Sequence, residues 1–562
     1  MSLLRREFYA SLACAGLAVR AIAKSNRIRI LKAANVVGPP ETIHAFSEDG
    51  VVELKRDGVV WLGGGISVRA ETGEGAGLLP VHVSSPQKHL LRVRLHWQGV
   101  LPGTYRYLGD AWERSYGDLG WRPLEPERIF PWYFLAGDGA SFMACGVKTN
   151  PGAFCFWETG PSGVTLWLDL RNGGSGVELG KRTLLAATVV AEDYQKHPAF
   201  QAARNFCRRM ADHGIFTPKP LYGGNNWYYA YGNSSADDIR ADTERIASYS
   251  PSGANRPFMI IDDGWSQYRT TGPWIRGNSR FQNMAGLASD MLRLSVKPGL
   301  WFRPLTTREP VSDSWLLKSG FSAARFAKEQ MRTIDPTVEG AAEQIRSDVR
   351  LLCGWGYRIL KHDFSTYDLL GRWGFQMGAE LTNSGWHFAD RTRTNAEIVR
   401  ALYSLLREAA GTTLLLGCNT VGHLATGLFE VQRTGDDTSG RDWSRTRKMG
   451  VNTLAFRAMQ HGAFFDIDAD CVGLTKAIPW SLNRQWLDLL ARSGTPLFIS
   501  AAPDAVGPEQ RDALREAFAR AAKPQPVCEP IDWLQTNEPE HWRLGNATAS
   551  FDWFTDAVSL PL

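Results

Sequence analysis

Lys361 and Asp363 stand two residues apart at the end of an apolar run that begins at Tyr357. Alternate residues of a strand point to the same face, so both side chains would emerge together at the tip of a buried strand. A neighbouring cation keeps a carboxylate ionised at neutral pH. An ionised, partly dehydrated Asp363 would serve as a nucleophile, as a metal ligand or as half of a structural ion pair.

More polar side chains follow the other predicted strands in this half of the chain. They are Asn225, Asn226 and Trp227; Asp262 and Asp263; Trp301 and Arg303; Cys418 and Asn419; Arg433, Asp436 and Asp437; and Asp466, Asp468 and Asp470. Several carboxylates that face one mouth suit two chemistries. One is hydrolysis of glycosides by a carboxylate pair, and the other is metal-assisted hydrolysis.

The histidines argue against a metal site. No His-x-His follows the first strand, and His362 would point away from Asp363 on a regular strand. We therefore expect no metal and no other cofactor. A glycosidase needs one ionised and one protonated carboxyl, and Asp363 beside Lys361 suits the ionised role. Either Asp436 or Asp437 would hold the proton, since burial and a neighbouring like charge raise the pKa of a carboxyl.

Eight apolar strands alternate with amphipathic helices after residue 221, which predicts a (β/α)8 TIM barrel with its chemistry at the strand tips. The strands are predicted over Tyr222–Trp227, Phe258–Ile261, Lys297–Phe302, Tyr357–Asp363, Thr413–Cys418, Phe429–Arg433, Ala463–Ile467 and Pro496–Ser500. An open doubly wound sheet is the alternative. No Gly-x-Gly-x-x-Gly follows a strand, which removes the usual dinucleotide site.

Four segments make up the predicted organisation of the 562 residues. Residues 1–23 carry two arginines, a short apolar run and a small-x-small site, and so predict a twin-arginine-type signal peptide and export to the periplasm or medium. Alternating runs and turn signals predict an antiparallel β-sandwich over residues 26–215. The barrel follows over 216–505. A closing helix and a short C-terminal β-like extension are predicted over 506–562.

Composition narrows the classes of partner. The net charge is only +5. The sequence contains no basic block interleaved with aromatic residues, so it does not predict nucleic-acid binding. No stretch is long and apolar enough for a membrane span. The 21 Trp and 15 Tyr suit either sugar binding or β-rich cores. Apart from Cys14, the cysteines are odd in number and irregularly spaced. No Cys-x-x-Cys motif occurs among them, so the sequence does not predict structural zinc.

Five segments in this order resemble the motif set of the α-galactosidase (melibiase) clan, glycoside hydrolase families 27 and 36. They are Asn226–Gly232, Ile261–Trp265, Gly299–Trp301, Lys361–Asp363 and Arg433–Asp437. Each segment falls at a predicted strand tip. The β-rich region in front of the barrel makes the chain more similar to family 36.

The resemblance implies a retaining, double-displacement mechanism in which Asp363 is the nucleophile and Asp437 is the acid/base. The four-position spacing from Arg433 selects Asp437 over Asp436. The other matched residues are implied to bind the sugar, and they are Trp227, Asp262, Asp263, Trp301, Lys361, Cys418, Asn419, Arg433 and Asp436.

Individual roles follow from the same resemblance. It implies that Lys361 hydrogen-bonds sugar hydroxyls and that Asp262 and Asp263 hold O4 and O6. It places Trp227 as an aromatic wall. Cys418 and Asn419 fall where the clan distinguishes the substituent at C2.

Three positions depart from the clan. His362 stands where an aromatic residue is usual between the lysine and the nucleophile, and the acid/base loop carries the extra Asp436. The tip of the fifth strand lacks the glutamate common in family 27. We expect an exo-acting α-galactosidase on an oligosaccharide or glycoconjugate. The alternatives are an α-N-acetylgalactosaminidase, a β-L-arabinopyranosidase or a non-catalytic carbohydrate-binding relative.

Overall fold

The computed structural model of the protein describes residues 29–73, 77–125 and 127–555. The predicted signal peptide over residues 1–23 lies outside these ranges, and export stays a prediction. Among the helices of the described ranges, none combines the length and the apolar character that crossing a membrane requires.

Thirteen antiparallel strands of the described chain form one continuous sheet ahead of the barrel. They are β1 (Thr42–Ser47), β2 (Gly50–Asp57), β3 (Val60–Gly63), β4 (Ile66–Ala70), β5 (Leu78–Ser84), β6 (Leu90–Gln98), β7 (Arg106–Gly109), β8 (Phe130–Pro131), β9 (Tyr133–Gly137), β10 (Ser141–Val147), β11 (Phe154–Gly160), β12 (Gly163–Asp169) and β13 (Thr183–Gln195). Strand β1 alternates half-exposed and buried side chains, as a strand with one face on the core must.

The antiparallel sheet folds back on itself. Its order is β7-β9-β10-β13-β5-β4-β3-β2-β1-β6-β12-β11-β8. Strand β2 pairs with β1 through its first residues and with β3 through its last, which joins the two halves. Strands β9 and β11, near opposite ends of this order, face each other. The rings of Phe134 on β9 and Trp157 on β11 lie 5.9 Å apart. Both rings are fully buried, so the halves enclose an aromatic core.

A parallel sheet follows and curls into a ring. Its strands, with the short ladder of β17 and β18, are β14 (Tyr222–Asn225), β15 (Phe258–Ile261), β16 (Lys297–Phe302), β17 (Thr306–Thr307), β18 (Arg332–Thr333), β19 (Ile359–His362), β20 (Leu414–Gly417), β21 (Val431–Arg433), β22 (Asp466–Asp468), β23 (Cys471–Leu474) and β24 (Leu497–Ala501). Strand β22 pairs with β21, and β23 pairs with β24. The ring therefore closes through one chain segment interrupted at Ala469 and Asp470.

Helices separate the barrel strands, as the periodicity predicts. In chain order the α-helices of the described residues are α1 (Ala33–Val36), α2 (Ala199–Met210), α3 (Trp227–Ala230), α4 (Ala236–Tyr249), α5 (Met284–Arg293), α6 (Gly320–Glu329), α7 (Glu339–Gly354), α8 (Ser365–Leu370), α9 (Asn395–Ala410), α10 (Gly422–Ala425), α11 (Trp443–Arg445), α12 (Thr453–Arg457), α13 (Trp480–Arg492) and α14 (Pro508–Ala521). Helix α9 begins at a capping box in which Thr394 accepts from the Glu397 N–H.

The predicted strand bounds match β15 and β16 residue for residue. The largest difference is in the seventh strand. Its prediction over Ala463–Ile467 is wrong at the start, because residues 463 and 464 lie in a turn, Phe465 makes only an isolated bridge to His461, and the strand begins at Asp466. Residues Thr446–Asn452 form a π-helical segment, which lies between α11 and α12.

Buried polar contacts join the antiparallel sheet to the barrel. The guanidinium of Arg457 lies 2.7 Å from Asp110 and donates to the Thr434 carbonyl at 2.8 Å. The rings of Trp132 and His423 stack with centroids 4.9 Å apart. The two Arg457 contacts fix the connection between β7 and β8 against the tip of β21.

A small C-terminal sheet packs on the outside. It consists of β25 (Glu529–Pro530), β26 (His541–Leu544) and β27 (Ala547–Ser550). Glu538 pairs with Arg447 of the barrel at 2.6 Å. The ring of Trp533 meets Trp121, in front of the barrel, at 5.6 Å. The C-terminal residues thus contact both other parts of the described chain.

We predict that Arg457→Leu destabilises the protein by roughly 3–5 kcal/mol, because it leaves the buried Asp110 without its cation. Urea unfolding measures the change. The control is Arg515→Leu, which breaks an exposed pair with Asp512 and should lower the free energy of unfolding by less than about 1 kcal/mol. Similar small losses in both variants would contradict the proposed role of Arg457.

Candidate active site

The carboxyl ends of the barrel strands bring together the eleven side chains to which the resemblance assigns catalytic or sugar-binding roles. Eight are buried, and they are Asp262, Asp263, Trp301, Lys361, Asp363, Cys418, Asn419 and Arg433. Three are partly exposed at the opening, and they are Trp227, Asp436 and Asp437. In a parallel barrel this end is where chemistry is found.

Asp363 directly follows β19 and is held by three hydrogen bonds. The Trp301 indole donates to Oδ2 at 3.0 Å. The backbone N–H groups of Phe364 and Asn419 donate to Oδ1 at 2.7 and 3.1 Å. Phe364 adopts a left-handed φ of 64°, uncommon for a bulky residue, and this turn brings its N–H onto the carboxylate. The carboxylate is thus fixed in place before any ligand arrives.

The charge of Asp363 is compensated by Arg114, from the connection between β7 and β8, and by Lys361, from β19 itself. Burial raises the pKa of this carboxyl, but Arg114, Lys361 and the Trp301 hydrogen bond outweigh burial, so the pKa lies below its ordinary value. Lys361 acts at a distance, since its Nζ forms an ion pair with Asp262 at 2.7 Å. Asp363 therefore stays ionised at neutral pH.

Asp262 and Asp263 differ in their partners. Asp262 Oδ2 accepts from Lys361 and, at 2.6 Å, from the Asn225 amide. Asp263 is buried, and its Oδ1 has no hydrogen-bond partner within the described chain. Burial and the charge of Asp262 raise the pKa of Asp263 to about 7. A buried carboxyl oxygen without a partner is open to a ligand hydroxyl.

Arg433 anchors the loop that follows β21. Its Nη2 lies 2.7 Å from Asp470 Oδ2 and 3.4 Å from Asp437 Oδ1. Asp470 also accepts from the Tyr228 hydroxyl and from the Thr438 N–H. The sequence left Asp470 without a role, yet it fixes Arg433 and hence the approach to Asp437.

The expectation of a raised pKa for Asp437 is wrong in the unliganded protein. Burial does raise the pKa of this carboxyl, but Arg433, Arg114 and Lys361 together outweigh burial and hold the pKa below its ordinary value. Repulsion between Asp437 and the neighbouring Asp436 does not raise the pKa, because the attraction of the surrounding cations is stronger. The Asp437 side chain is still 36% exposed, and its Oδ2 accepts from the Trp227 indole at 3.2 Å.

Asp436 is engaged on both oxygens. Arg114 lies 2.9 Å from Oδ1 and Arg445 lies 2.9 Å from Oδ2. Both Asp436 oxygens are thus occupied by guanidinium groups, whereas Asp437 lies 3.4 Å from Arg433 and its side chain stays partly exposed at the mouth.

The cysteines of the described ranges are not joined in disulfides. Within the described ranges all seven are free, Cys145 and Cys155 included. Burial raises the pKa of the Cys418 thiol, whose Sγ lies 3.6 Å from Arg114 and 3.7 Å from Arg433. Among the described residues no group of three or more His, Cys, Asp or Glu is arranged to hold a metal ion.

Two residues of the site escaped the sequence prediction. Glu113 and Arg114 lie between β7 and β8, and both are buried at the barrel mouth. Glu113 accepts from the Asn419 amide, while Arg114 pairs with Asp436. No spacing within the barrel could have revealed them, because they precede its first strand by more than a hundred residues.

His362 occupies an apolar slot behind the site. Its ring lies 5.8 Å from Phe302 and 5.6 Å from Phe429, and neither ring nitrogen has a partner in the described chain. Burial lowers the pKa of His362 to about 3. The histidine therefore packs as a neutral ring, as the aromatic residue usual at this position would.

Solved structures similar to this chain include α-galactosidases, several of them assigned to glycoside hydrolase family 36. The likeness spans both regions, and its TM-scores of 0.53 to 0.59 come with 11–18% identity. At such identities the comparison establishes the fold, and at that level it confirms the resemblance to the clan. No family model and no curated protein matches the sequence.

One similar structure is TtGalA, the α-galactosidase of Thermus thermophilus in complex with p-nitrophenyl α-D-galactopyranoside. It has a TM-score of 0.59 and 17% identity, over 91% of this chain and 99% of that chain. Another is a single-substitution variant of AgaA, the family 36 α-galactosidase of Geobacillus stearothermophilus, in complex with 1-deoxygalactonojirimycin. Its TM-score is 0.57 at 12% identity, over 89% of this chain and 78% of that one.

We predict that His362→Phe makes the protein less sensitive to acid. Below pH 6.5 this histidine becomes protonated in the unfolded chain but stays neutral in the folded chain, where its pKa is about 3. The free energy of unfolding of the wild type therefore decreases as the pH is lowered. By pH 4.5 the variant should gain about 2–3 kcal/mol relative to the difference at pH 7. Urea unfolding at both pH values measures this gain. Exposed His541→Phe is the control, and an equal gain there would refute the explanation.

Proposed function

We propose that the chain is a glycoside hydrolase that removes terminal α-galactosyl residues with retention of configuration. The observation that carries the proposal is the pairing of two carboxyl groups in one mouth. Asp363 is buried, fixed by three hydrogen bonds and held ionised. Asp437 is partly open to solvent, and its charge acts on Asp363. This is the asymmetry that a nucleophile and an acid/base require.

The ligands of the similar structures support the choice of sugar. TtGalA is described in complexes with p-nitrophenyl α-D-galactopyranoside and with stachyose, and AgaA variants with stachyose and raffinose. We extend this substrate class to the present chain because Trp227, Asp262 and Lys361 line the corresponding mouth. An oligosaccharide or glycoconjugate with a terminal α-galactosyl group is the proposed substrate.

In the first step an Asp363 oxygen forms a bond to the anomeric carbon. The bond from that carbon to the leaving oxygen breaks, the electron pair stays with that oxygen, and Asp437 supplies its proton. In the second step Asp437 takes a proton from water, which attacks the anomeric carbon and frees Asp363. The fixed hydrogen bonds of Asp363 leave little reorganisation for the first step.

Asp437 must gain a proton before it can act as an acid. A sugar ring that fills the mouth removes water from this partly exposed carboxyl, and desolvation favours its protonated form. The cations that hold the resting pKa low then favour the charged form again when Asp437 acts as base. Because both carboxyls start with depressed pKa values, turnover should be highest on the acid side of neutrality.

Asp262, Asp263 and Lys361 are proposed to bind sugar hydroxyls on the far side of the ring. Lys361 and Asp262 form a neutral pair that offers both a donor and acceptors. The unpartnered Asp263 Oδ1 offers another acceptor. The Trp227 indole fixes Asp437 and leaves its ring as a wall of the mouth.

Asp363→Ala is predicted to lower turnover of p-nitrophenyl α-D-galactopyranoside by roughly 10⁴-fold or more, because the covalent step is lost. The assay is release of p-nitrophenol, with a panel of other aryl glycosides to identify the sugar. Exposed Asp512→Ala is the matched control. Unchanged turnover in Asp363→Ala would exclude the nucleophile assignment, and a wild type inactive on the whole panel would exclude the proposed function.

Asp437→Ala is predicted to slow substrates in proportion to how much their leaving group needs a proton. Raffinose hydrolysis should fall by roughly 10²–10⁴-fold, while an activated aryl galactoside should lose much less in its first step. Steady-state and burst kinetics with both substrates measure the difference. Asp436→Asn is the comparison, and a larger leaving-group effect in that variant would move the acid/base role to Asp436.

A further inference from the structure

The connection between β7 and β8 extends the barrel at its mouth. The Ser115 N–H donates to the Thr434 carbonyl at 2.9 Å, and the Asp436 N–H donates to the Ser115 carbonyl at 2.9 Å. Ser115 and Gly435 thus form a parallel bridge just beyond β21. The antiparallel region thereby adds one short strand-like contact to the loop that carries Asp437.

Glu113 fixes a neighbour of the proposed nucleophile. Its Oε1 accepts from the Gly374 N–H at 2.7 Å and from the Tyr116 hydroxyl at 2.5 Å. Its Oε2 accepts from the Asn419 amide. The backbone N–H of Asn419 in turn donates to Asp363 Oδ1 at 3.1 Å. Both carboxylate oxygens of Glu113 are occupied by these donors, so Glu113 acts on Asp363 through Asn419.

Arg114 lies on the other side of the same segment. Its Nη2 is 2.9 Å from Asp436 Oδ1, and its Nη1 is 3.6 Å from Cys418 Sγ. The guanidinium lies over the Trp373 ring at 5.6 Å. Its Nε is buried without a partner among the described residues. A buried guanidinium in contact with both the β20 and β21 tips spans the space between the two proposed catalytic carboxyls.

We propose that Glu113 and Arg114 are positioning residues of the active site, supplied by the antiparallel region. Arg114 fixes Asp436 and so orients the loop that presents Asp437, and it contributes positive charge to the pocket. Glu113 fixes Asn419 and so orients the backbone donor of Asp363. The inference rests on the proposed function, because positioning matters only if these carboxyls react.

The charges around the two carboxyls define how the inference can be tested. Asp363 faces Arg114, Lys361 and Asp437, while Asp437 faces Arg433, Arg114, Lys361 and Arg445. Arg114 is common to both sets and lowers both pKa values. Its removal should therefore raise the pKa of the nucleophile and that of the acid/base together.

The test compares Arg114→Gln with Arg114→Lys and with the control Arg447→Gln, which removes a half-buried ion pair to Glu538 away from the mouth. The pH profile of kcat/KM is measured with p-nitrophenyl α-D-galactopyranoside. Arg114→Gln should shift both limbs of the profile to higher pH and lower kcat by about 100-fold, as a misplaced reacting group does. Arg114→Lys should restore the position of the limbs, and the control should leave the profile unchanged.

Hydrogen exchange of the same variants gives a second measurement that needs no turnover. Arg114→Gln should speed amide exchange in residues 434–440, and Glu113→Gln should speed it at Asn419, while Arg447→Gln does neither. An active wild type whose profile and exchange are unmoved by Arg114→Gln overturns the inference and leaves the proposed function standing. A wild type inactive on every glycoside, with exchange altered as expected, overturns the proposed function and with it the catalytic meaning of the inference, while the structural coupling of Arg114 and Glu113 to these segments stands.

Discussion

A carboxylate buried in a protein stays ionised only if cations repay its lost hydration, and this compensation governs the whole mouth of the barrel. Asp363 depends on Arg114 and Lys361, which arrive from different elements. Lys361 is itself neutralised by Asp262. The side chains thus form a balanced set in which no member can be exchanged alone. Removing one charge would leave its partners buried and uncompensated, which is why so many tips carry charged residues.

This charge balance requires the antiparallel sheet and the barrel to keep a fixed relative position. Arg457 clamps Asp110 and the Thr434 carbonyl, and this contact lies next to the bridge between Ser115 and Gly435. A shift of a few tenths of an ångström at this junction would be transmitted to the loop of Asp437 through hydrogen bonds of 2.9 Å. The barrel alone supplies the carboxyls, and the junction supplies their alignment.

The sequence predicted the barrel well because strand–helix periodicity is a local signal, and β15 and β16 came out residue for residue. It also gathered the tip residues, since strand order dictates that they share one end. Two kinds of feature stayed out of reach. Arg114 enters from a loop whose position depends on long-range packing, and the pKa of Asp437 depends on four cations that only the folded chain assembles. The turn at residues 462–464 was missed because a buried apolar turn has a composition similar to that of a buried strand.

The seam of the barrel has a consequence of its own. The seventh strand breaks at Asp470, where a left-handed φ of 73° lets β22 pair on one side and β23 on the other. The carboxylate of that same residue holds Arg433 at 2.7 Å. Asp470 thus allows the ring to close through its backbone and neutralises Arg433 through its side chain. The closure of the ring and the electrostatics of the pocket therefore depend on the same residue. A distortion of the ring at Asp470 would also move the carboxylate that neutralises Arg433 at the mouth.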